Sequence, residues 1–398
     1  MSDRKEYIVG LAKGVDFENF NNEMIATTGQ GVIPNRTVDV ANQRPLSKRL
    51  THYYLTEEEA NDLINDPRVV CVEIPPEKRK DIFPIRDASQ TSNFSKTTSD
   101  SGPYVNWGLR RSNEETNVYG NATIVSGDYN YTLNGSGVDV VIQDSGIEPN
   151  HPEWQDENGV SRLKQIDWFT ASGITGTQSS NHYRDFDGHG THCAGIAAGK
   201  TYGWAKGVRV YSLNVNAFSS SYWFDAIKEF HKAKAVDPVT GFKRPTIVNA
   251  SWGYKSYFSS ITNVYFRGTN TGTTAKNRDY GMIGDGSSRF NANLYSLNVE
   301  VEEMQDEGVH YFKSAGNQYQ KLCYSTDVDY NNYITRSVNS GGITAGQPIY
   351  YNRGAGNIGP DTIVCGNLDS GLYSSGEATA TSSDKEEELQ TQFKAHSL

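Results

Sequence analysis

The sequence predicts an α/β fold, in which a parallel β-sheet is flanked by helices and a small α+β domain comes first. Two observations support this prediction. From about residue 138 onward, short β-rich runs alternate with helical candidates, an order typical of a parallel sheet with helices on its faces. Before it, the chain has its own strands and a capped helix, and a Ser/Thr-rich stretch separates the two regions.

The first domain is predicted over residues 1–80. Thr56 and Glu59 have the spacing of a capping box, so a helix is expected to begin there. Three short apolar runs, at residues 7–11, 52–55 and 69–74, predict its strands.

Residues 81–104 are predicted to be a linker. Between residues 86 and 102 the chain is rich in Ser and Thr and has almost nothing to bury, so a solvated segment is the expected structure. Such a segment is also the expected place for proteolytic processing.

The second domain is predicted over residues 105–398. Because functional residues of an open parallel sheet gather just beyond the carboxyl ends of its strands, candidate site residues are expected there. The strands are predicted at residues 138–143, 208–213, 246–250 and 309–314, and the helices at about residues 189–199, 222–235 and 291–307.

Charge and hydropathy exclude two classes of partner. The chain carries 37 Lys and Arg against 47 Asp and Glu, a net charge of −10, and no long basic run, so no nucleic-acid partner is expected. The charged start is not followed by an apolar segment, and no run of about eighteen apolar residues occurs. We therefore expect neither a Sec signal nor a membrane span, and the compartment stays open.

The four cysteines have no C-x-x-C spacing, which disfavours zinc-ribbon and thioredoxin-like sites. Buried free thiols are expected, with one or two disulfides as the alternative.

The first candidate site residues are Asp144 and His189. Asp144 directly follows a predicted strand, a position that by itself is typical of a turn or cap. His189 lies at the amino end of a predicted helix, where the helix dipole favours the neutral imidazole that a general base needs. His192 is interpreted as a packing histidine, and no zinc is expected because the H-E-x-x-H spacing is absent.

Two further segments end strands of the same predicted sheet. Ser251, Trp252 and Gly253 could pair through their backbone with an extended peptide. Asn317 could donate a hydrogen bond to a developing oxyanion. Each segment alone is also compatible with an ordinary strand end.

Taken in this order, the segments resemble the subtilisin-like serine proteases (subtilases, peptidase S8). The resemblance implies a subtilisin-like sheet and a triad in which Asp144 orients His189 and His189 deprotonates a serine. It also implies that Asn317 binds the oxyanion, and that a peptide or protein substrate lies along Ser251, Trp252 and Gly253. The matching motifs are residues 140–147, 189–195, 251–253 and 315–317, with residues 106–111 resembling the mature amino terminus.

The resemblance extends to the first domain, which is similar to an inhibitor I9-like propeptide of α+β (ferredoxin-like) fold. This implies that the domain assists folding and then acts as an intramolecular inhibitor. An unrelated α+β appendage is the alternative.

The family's Gly-Thr-Ser-x-Ala-x-Pro motif, which carries the nucleophile, is not found. In one alignment residues 363–369 resemble the strand after the oxyanion residue, and the peptidase domain is incomplete at its carboxyl end. In the other, Ala378 occupies the nucleophile position. Nearby hydroxyls are interpreted as loop residues, at Ser374, Ser375, Ser382 and Ser383.

The predicted function is therefore a serine endopeptidase. The alternatives are a noncatalytic peptide-binding pseudoprotease and a fragment whose serine arrives on a separate carboxyl-terminal polypeptide. No cofactor is certain. Structural calcium is common in the family, and residues 327–332 have alternating oxygen ligands, but they lack the Gly and Glu of an EF-hand and a solvated loop is expected.

Overall fold

The protein is described by a computed structural model. It describes residues 4–26, 31–79, 82–85, 133–201, 203–215, 220–238, 240–257, 261–272, 289–316, 321, 323–336, 346–353 and 358–365.

The amino-terminal unit is a four-stranded antiparallel sheet with two helices. Its strands lie in the order β2-β3-β1-β4, the ferredoxin-like arrangement of a split β-α-β fold. The predicted capping box is present, because the Glu59 N–H donates to Thr56 Oγ1 and the Thr56 N–H donates to Glu59 Oε2. The elements are β1 (Lys5–Leu11), α1 (Phe17–Ile25), β2 (Val40–Asn42), β3 (Leu50–Leu55), α2 (Glu57–Leu63) and β4 (Val69–Glu73).

Helix α1 was not predicted, because its Asn-rich sequence has weak helix propensity. Asp16 caps its first turn by accepting a hydrogen bond from the Asn19 N–H. Phe20 and Met24 are buried in the core of the unit. Packing against the sheet therefore decides the formation of this helix.

The rest of the described chain forms three sheets and four helices. The strands are β5 (Ile82–Ile85), β6 (Asp139–Asp144), β7 (Leu163–Lys164), β8 (Arg209–Asn214), β9 (Thr246–Ala250), β10 (Gly253–Tyr257), β11 (Ile261–Phe266), β12 (Thr269–Asn270), β13 (Arg289–Asn291), β14 (His310–Ser314), β15 (Tyr333–Arg336), β16 (Ile349–Tyr350) and β17 (Ile363–Cys365). The helices are α3 (Trp168–Ser172), α4 (His189–Ala198), α5 (Ser220–Lys232) and α6 (Tyr295–Asp306).

The large sheet has six parallel strands in the order β17-β14-β9-β6-β8-β7, which confirms the predicted α/β class. Alternate residues of β6 face opposite cores. Val140 and Ile142 pack with residues of α4, whereas Val141 packs in an aromatic-rich core with α5 and α6. Helix α6 begins at Tyr295, four residues later than expected, because β13 occupies the chain up to Asn291.

The amino-terminal sheet contacts α6 through an apolar cluster. Ile8, Leu50 and Cys71 project from β1, β3 and β4, and Val299 projects from α6. All four cysteines are free and only Cys71 is buried, so the expectation of free thiols is confirmed, whereas the expectation of buried ones is wrong for the other three. Within the described ranges, no helix is long and apolar enough to span a membrane.

Candidate active site

Asp144 and His189 meet at the carboxyl edge of the large sheet. Asp144 is the last residue of β6, His189 is the first residue of α4, and Asp144 Oδ1 lies 2.8 Å from His189 Nδ1. The carboxyl group is fully buried and also accepts a hydrogen bond from the Ser145 N–H at 2.7 Å. An ionised carboxylate only accepts hydrogen bonds, so it holds the proton of the imidazole on Nδ1 and leaves Nε2 able to act as a base.

Two glycines allow the strand end and the helix start to approach this closely. A Cβ at Gly190 would lie 2.1 Å from the Gly146 carbonyl oxygen, well inside van der Waals contact. Gly146 itself has φ of 119°, a conformation that L side chains rarely adopt. Larger residues at either position would push His189 away from Asp144.

Asp185 is a residue of the site that sequence analysis missed. Its Oδ1 accepts a hydrogen bond from Ser145 Oγ at 2.8 Å, and its Oδ2 accepts from the N–H and hydroxyl of Thr191 at 2.8 and 2.6 Å. Ser145 Oγ in turn accepts from the Gly190 N–H at 2.8 Å. This carboxylate therefore braces the turn after β6 against the first turn of α4. The only sequence signal is an acidic residue just ahead of a helix start, which is common at helix N-termini.

The hydrogen bond that His189 donates to Asp144 raises the pKa of His189 above its usual 6.5, and the nearby Cys193 thiol acts in the same direction. Burial, which favours the neutral imidazole, opposes this shift and is the weaker influence, so the surroundings do not favour the neutral form expected from the helix position. The arrangement therefore stabilises an imidazolium, the species formed when a histidine base accepts a proton. Cys193 lies on the same helix and is half-buried, with Sγ 3.8 Å from His189 Nδ1.

The segment Ser251, Trp252 and Gly253 follows β9 at the same edge and leads into β10. Strand β10 lies between β13 and β5, pairing antiparallel with both. On the β5 side Gly253 is opposite Ile85. A segment just downstream of the amino-terminal unit thus forms an extended strand whose last residue lies opposite Gly253, the last of the residues predicted to bind peptide.

Asn317 lies outside the described residues, as do Ala378, the candidate serines and most of the predicted linker. The strand leading toward Asn317 is described through Gly316. Strand β14 pairs with β9 on one side and with β17 on the other, so the residues after it leave the sheet at the same edge as Asp144. His192 is exposed on α4, one turn beyond His189, so its interpretation as a packing histidine is wrong.

The loop at residues 327–332 is not the solvated loop expected from sequence. Asp329 and Asn332 are buried, and the Asp329 oxygens lie 2.6 Å from Arg267 Nε and from Lys321 Nζ. Two cations therefore hold the carboxylate that calcium would need, and this loop does not fit a calcium site.

Two groups of potential metal ligands occur in the described part of the chain. One is Asp144, His189 and Cys193, and the other is Asp225, Glu300 and Glu303. In the first, Asp144 and His189 already bind each other. In the second, the carboxylates are neutralised by protein cations.

The chain is similar in sequence to known proteins, chiefly over its second region. A profile of peptidase S8, described as the Subtilase family, matches residues 135–396. The cuticle-degrading serine protease of Arthrobotrys oligospora is 37% identical over 109 residues, covering 27% of this chain and 24% of that protein. The extracellular serine proteinase of Thermus sp. (strain Rt41A) is 27% identical over 241 residues, covering 60% of this chain and 47% of that protein.

Among solved structures, fervidolysin from Fervidobacterium pennivorans, a keratinolytic enzyme related to subtilisin, aligns with a TM-score of 0.36 at 14% identity. That alignment covers 89% of this chain and 52% of fervidolysin. The chain spans about a fifth to a half of the length of the curated relatives it matches.

Proposed function

The chain belongs to the subtilase family, and from this premise we propose that it is a serine endopeptidase that cleaves extended peptide segments. The observation that carries the proposal is the 2.8 Å contact between buried Asp144 and His189 at the carboxyl edge of a parallel sheet. Few structural roles need a wholly buried carboxylate aimed at an imidazole that is still partly exposed.

In the proposed mechanism His189 Nε2 removes the proton of a serine hydroxyl as that oxygen attacks the scissile carbonyl. Asp144 keeps the imidazole in the required tautomer and stabilises the imidazolium that results. Asn317 would donate a hydrogen bond to the tetrahedral oxyanion. The imidazolium then returns its proton to the leaving amine, and water hydrolyses the acyl-enzyme.

The substrate is proposed to bind as a strand beside β10, antiparallel to it, as Ile82–Ile85 does. Backbone pairing supplies affinity that depends little on side-chain identity. Because the pairing brings Ile85 opposite Gly253, the carboxyl end of β5 lies beside the residues that follow β9. We propose that the linker at residues 81–104 is cleaved there, and that the peptidase domain follows from residue 105.

The amino-terminal unit, residues 1–80, is proposed to act as an intramolecular inhibitor. Arg44 of this unit is almost fully buried against the peptidase helices, with its guanidinium 2.6 Å from both Asp225 and Glu300. Lys228 joins the same cluster, because its Nζ lies 2.9 Å from Asp225 and from Glu303 and donates to the Leu46 carbonyl. Buried ion pairs of this kind define one docking geometry.

Glu73 provides a second polar anchor for the same contact. Its carboxylate accepts hydrogen bonds from the Tyr295 and Ser296 N–H groups at 2.9 Å and from the Ser296 hydroxyl at 2.7 Å. These are the unsatisfied donors at the start of α6, and the positive end of the helix favours a carboxylate there. The contact places the end of β4, and hence the chain leading into β5, over the peptidase domain.

A serine-directed fluorophosphonate tests the proposed activity, because it reacts with serines activated by a base. Because the nucleophile motif is not found, labelling of the isolated chain would reveal, by mass spectrometry of the product, a serine outside that motif and would support the endopeptidase. Labelling only after a companion polypeptide is added would instead establish the split enzyme. An unlabelled chain that still binds extended peptides would be a noncatalytic pseudoprotease.

Docking of the amino-terminal unit should weaken as the pH rises from about 5 to 9. Burial raises the pKa of Glu300 to about 8 from the usual 4.5, although Arg44 opposes the shift. Asp225, Lys228 and Glu303 are the other charged groups around it. Since the docked state binds this proton more tightly than the separated state, the stabilisation is complete at low pH and is lost as the pH passes 8.

Glu73 acts in the same direction, because burial raises its pKa as well. Asp225 acts in the opposite direction, since Arg44 and Lys228 lower its pKa despite burial. Its protonation changes only below about pH 5, so it does not affect the dependence at higher pH. The measurement is the urea midpoint of the intact chain between pH 6 and 9. The E300Q variant, which mimics the protonated acid, should show a shallower pH dependence, and parallel curves for the two proteins would contradict this assignment.

A further inference from the structure

Two buried polar side chains hold Trp252 from beneath the proposed peptide-binding segment. Gln143 Oε1 accepts a hydrogen bond from the Trp252 indole Nε1 at 3.2 Å. Lys313 Nζ donates to the Trp252 carbonyl oxygen and lies 5.7 Å from the centre of the indole ring. The three residues are 0%, 1% and 2% exposed for Gln143, Lys313 and Trp252, respectively.

The sheet topology explains how one residue is held from two sides. Strand β9 lies between β6 and β14, and Trp252 follows it two residues beyond Ala250. Gln143 is the second-last residue of β6, and Lys313, which is paired with Ala250, is the second-last residue of β14. Gln143 therefore adjoins Asp144 in sequence, but its side chain points to the opposite face of the sheet.

The surroundings make these polar groups costly unless they have a specific role. Trp252 packs edge-on against Trp223 and Tyr254 and lies near Phe224, so the cluster is largely aromatic. An amide and an ammonium in such a core lose their hydration and are stabilised only by well-placed hydrogen bonds. Apolar residues of similar size would pack there without that cost.

We propose that Gln143 and Lys313 are positioning residues, which hold the backbone of Ser251, Trp252 and Gly253 at a fixed place relative to Asp144 and His189. The Trp252 carbonyl that binds Lys313 belongs to the connection that leads into β10. Loss of either side chain frees one end of the strand on which an extended substrate pairs. The inference rests on the proposed function, since it assigns these residues to substrate alignment.

Hydrogen exchange of backbone amides in residues 251–257 tests the proposal in the intact chain. Q143L or K313M should speed exchange there by about tenfold, because each leaves a buried group of Trp252 without its hydrogen bond. That group is the indole N–H in Q143L and the backbone carbonyl in K313M. The matched control is K234M. Lys234 is also a largely buried lysine, 2.6 Å from Asp139 and Thr246, but those residues begin β6 and β9 at the opposite end of the sheet. Equal exchange of residues 251–257 in K313M and K234M would overturn the proposal.

A double-mutant cycle separates positioning from general loss of stability. W252F keeps an aromatic ring and the backbone carbonyl but removes the indole N–H. In that background Q143L should add less than about twofold to the exchange rate, whereas K313M should keep its full effect. An undiminished effect of Q143L would overturn the role of its hydrogen bond. Hydrogen exchange does not depend on hydrolysis. Failure of fluorophosphonate labelling would therefore contradict the proposed activity of the chain, but it would leave the exchange measurement unaffected.

Discussion

The H189A variant is expected to lose fluorophosphonate labelling and peptide hydrolysis by about 10⁴-fold or more. Removing the imidazole takes away the group that accepts the serine proton, and members of a Ser-His-Asp triad act as a unit, so the loss is nearly that of the whole triad. Asp144 would then be a buried carboxylate without its cationic partner. The measurement is the second-order rate of labelling, compared with wild type at the same pH.

H192A is the matched control for this experiment. His192 lies one turn further along α4, is exposed and was interpreted as structural from sequence. Its removal should leave the labelling rate within about twofold of the wild-type rate, since surface substitutions away from the site have small effects. Equal rates for H189A and wild type would show that His189 is not the base.

R44A is expected to lower the free energy of unfolding of the intact chain by about 3–5 kcal/mol. Arg44 is buried between Asp225 and Glu300, and removing one partner of a buried ion pair leaves uncompensated charge in a medium that solvates it poorly. Lys228 alone would then face three carboxylates, those of Asp225, Glu300 and Glu303. Urea denaturation of wild type and R44A measures the change, with the unfolding free energy of both proteins showing the same slope against urea concentration.

R36A provides the comparison. Arg36 pairs with Glu59 inside the amino-terminal unit, where both side chains are about one-fifth exposed, so its loss should cost about 1 kcal/mol or less. A cost for R44A no larger than that for R36A would rule out the ion cluster as an anchor of the amino-terminal unit.

Local spacing was enough to predict part of the site from sequence. Asp144 ends a run of apolar β-formers, and His189 begins a helix of small residues, so each could be placed on its element without knowledge of the fold. The capping box at Thr56 is equally local. Helix α1 was missed because its stability comes from burying Phe20 and Met24 rather than from propensity.

Asp185, Arg44 and Lys313 could not be assigned in this way. Each acts on residues distant in the chain: Arg44 on Asp225 and Glu300, Asp185 on Ser145, and Lys313 on Trp252. A charged residue in sequence gives no sign of whether it is solvated or buried, because that depends on which surfaces come together.

By itself, the sequence determined the alternation of β6, β8, β9 and β14 with α4, α5 and α6, the placement of Asp144 and His189 at element ends, and hence the family. Only the tertiary structure decided that Ile82–Ile85 lies along β10, and that Arg44 pairs with the Asp225 and Glu300 carboxyl groups on two helices of the second region. The physical reason is the distance along the chain over which each kind of interaction acts. Periodicity, capping and turn chemistry act within a few residues, whereas strand register and the burial of charge depend on contacts between segments far apart in the chain.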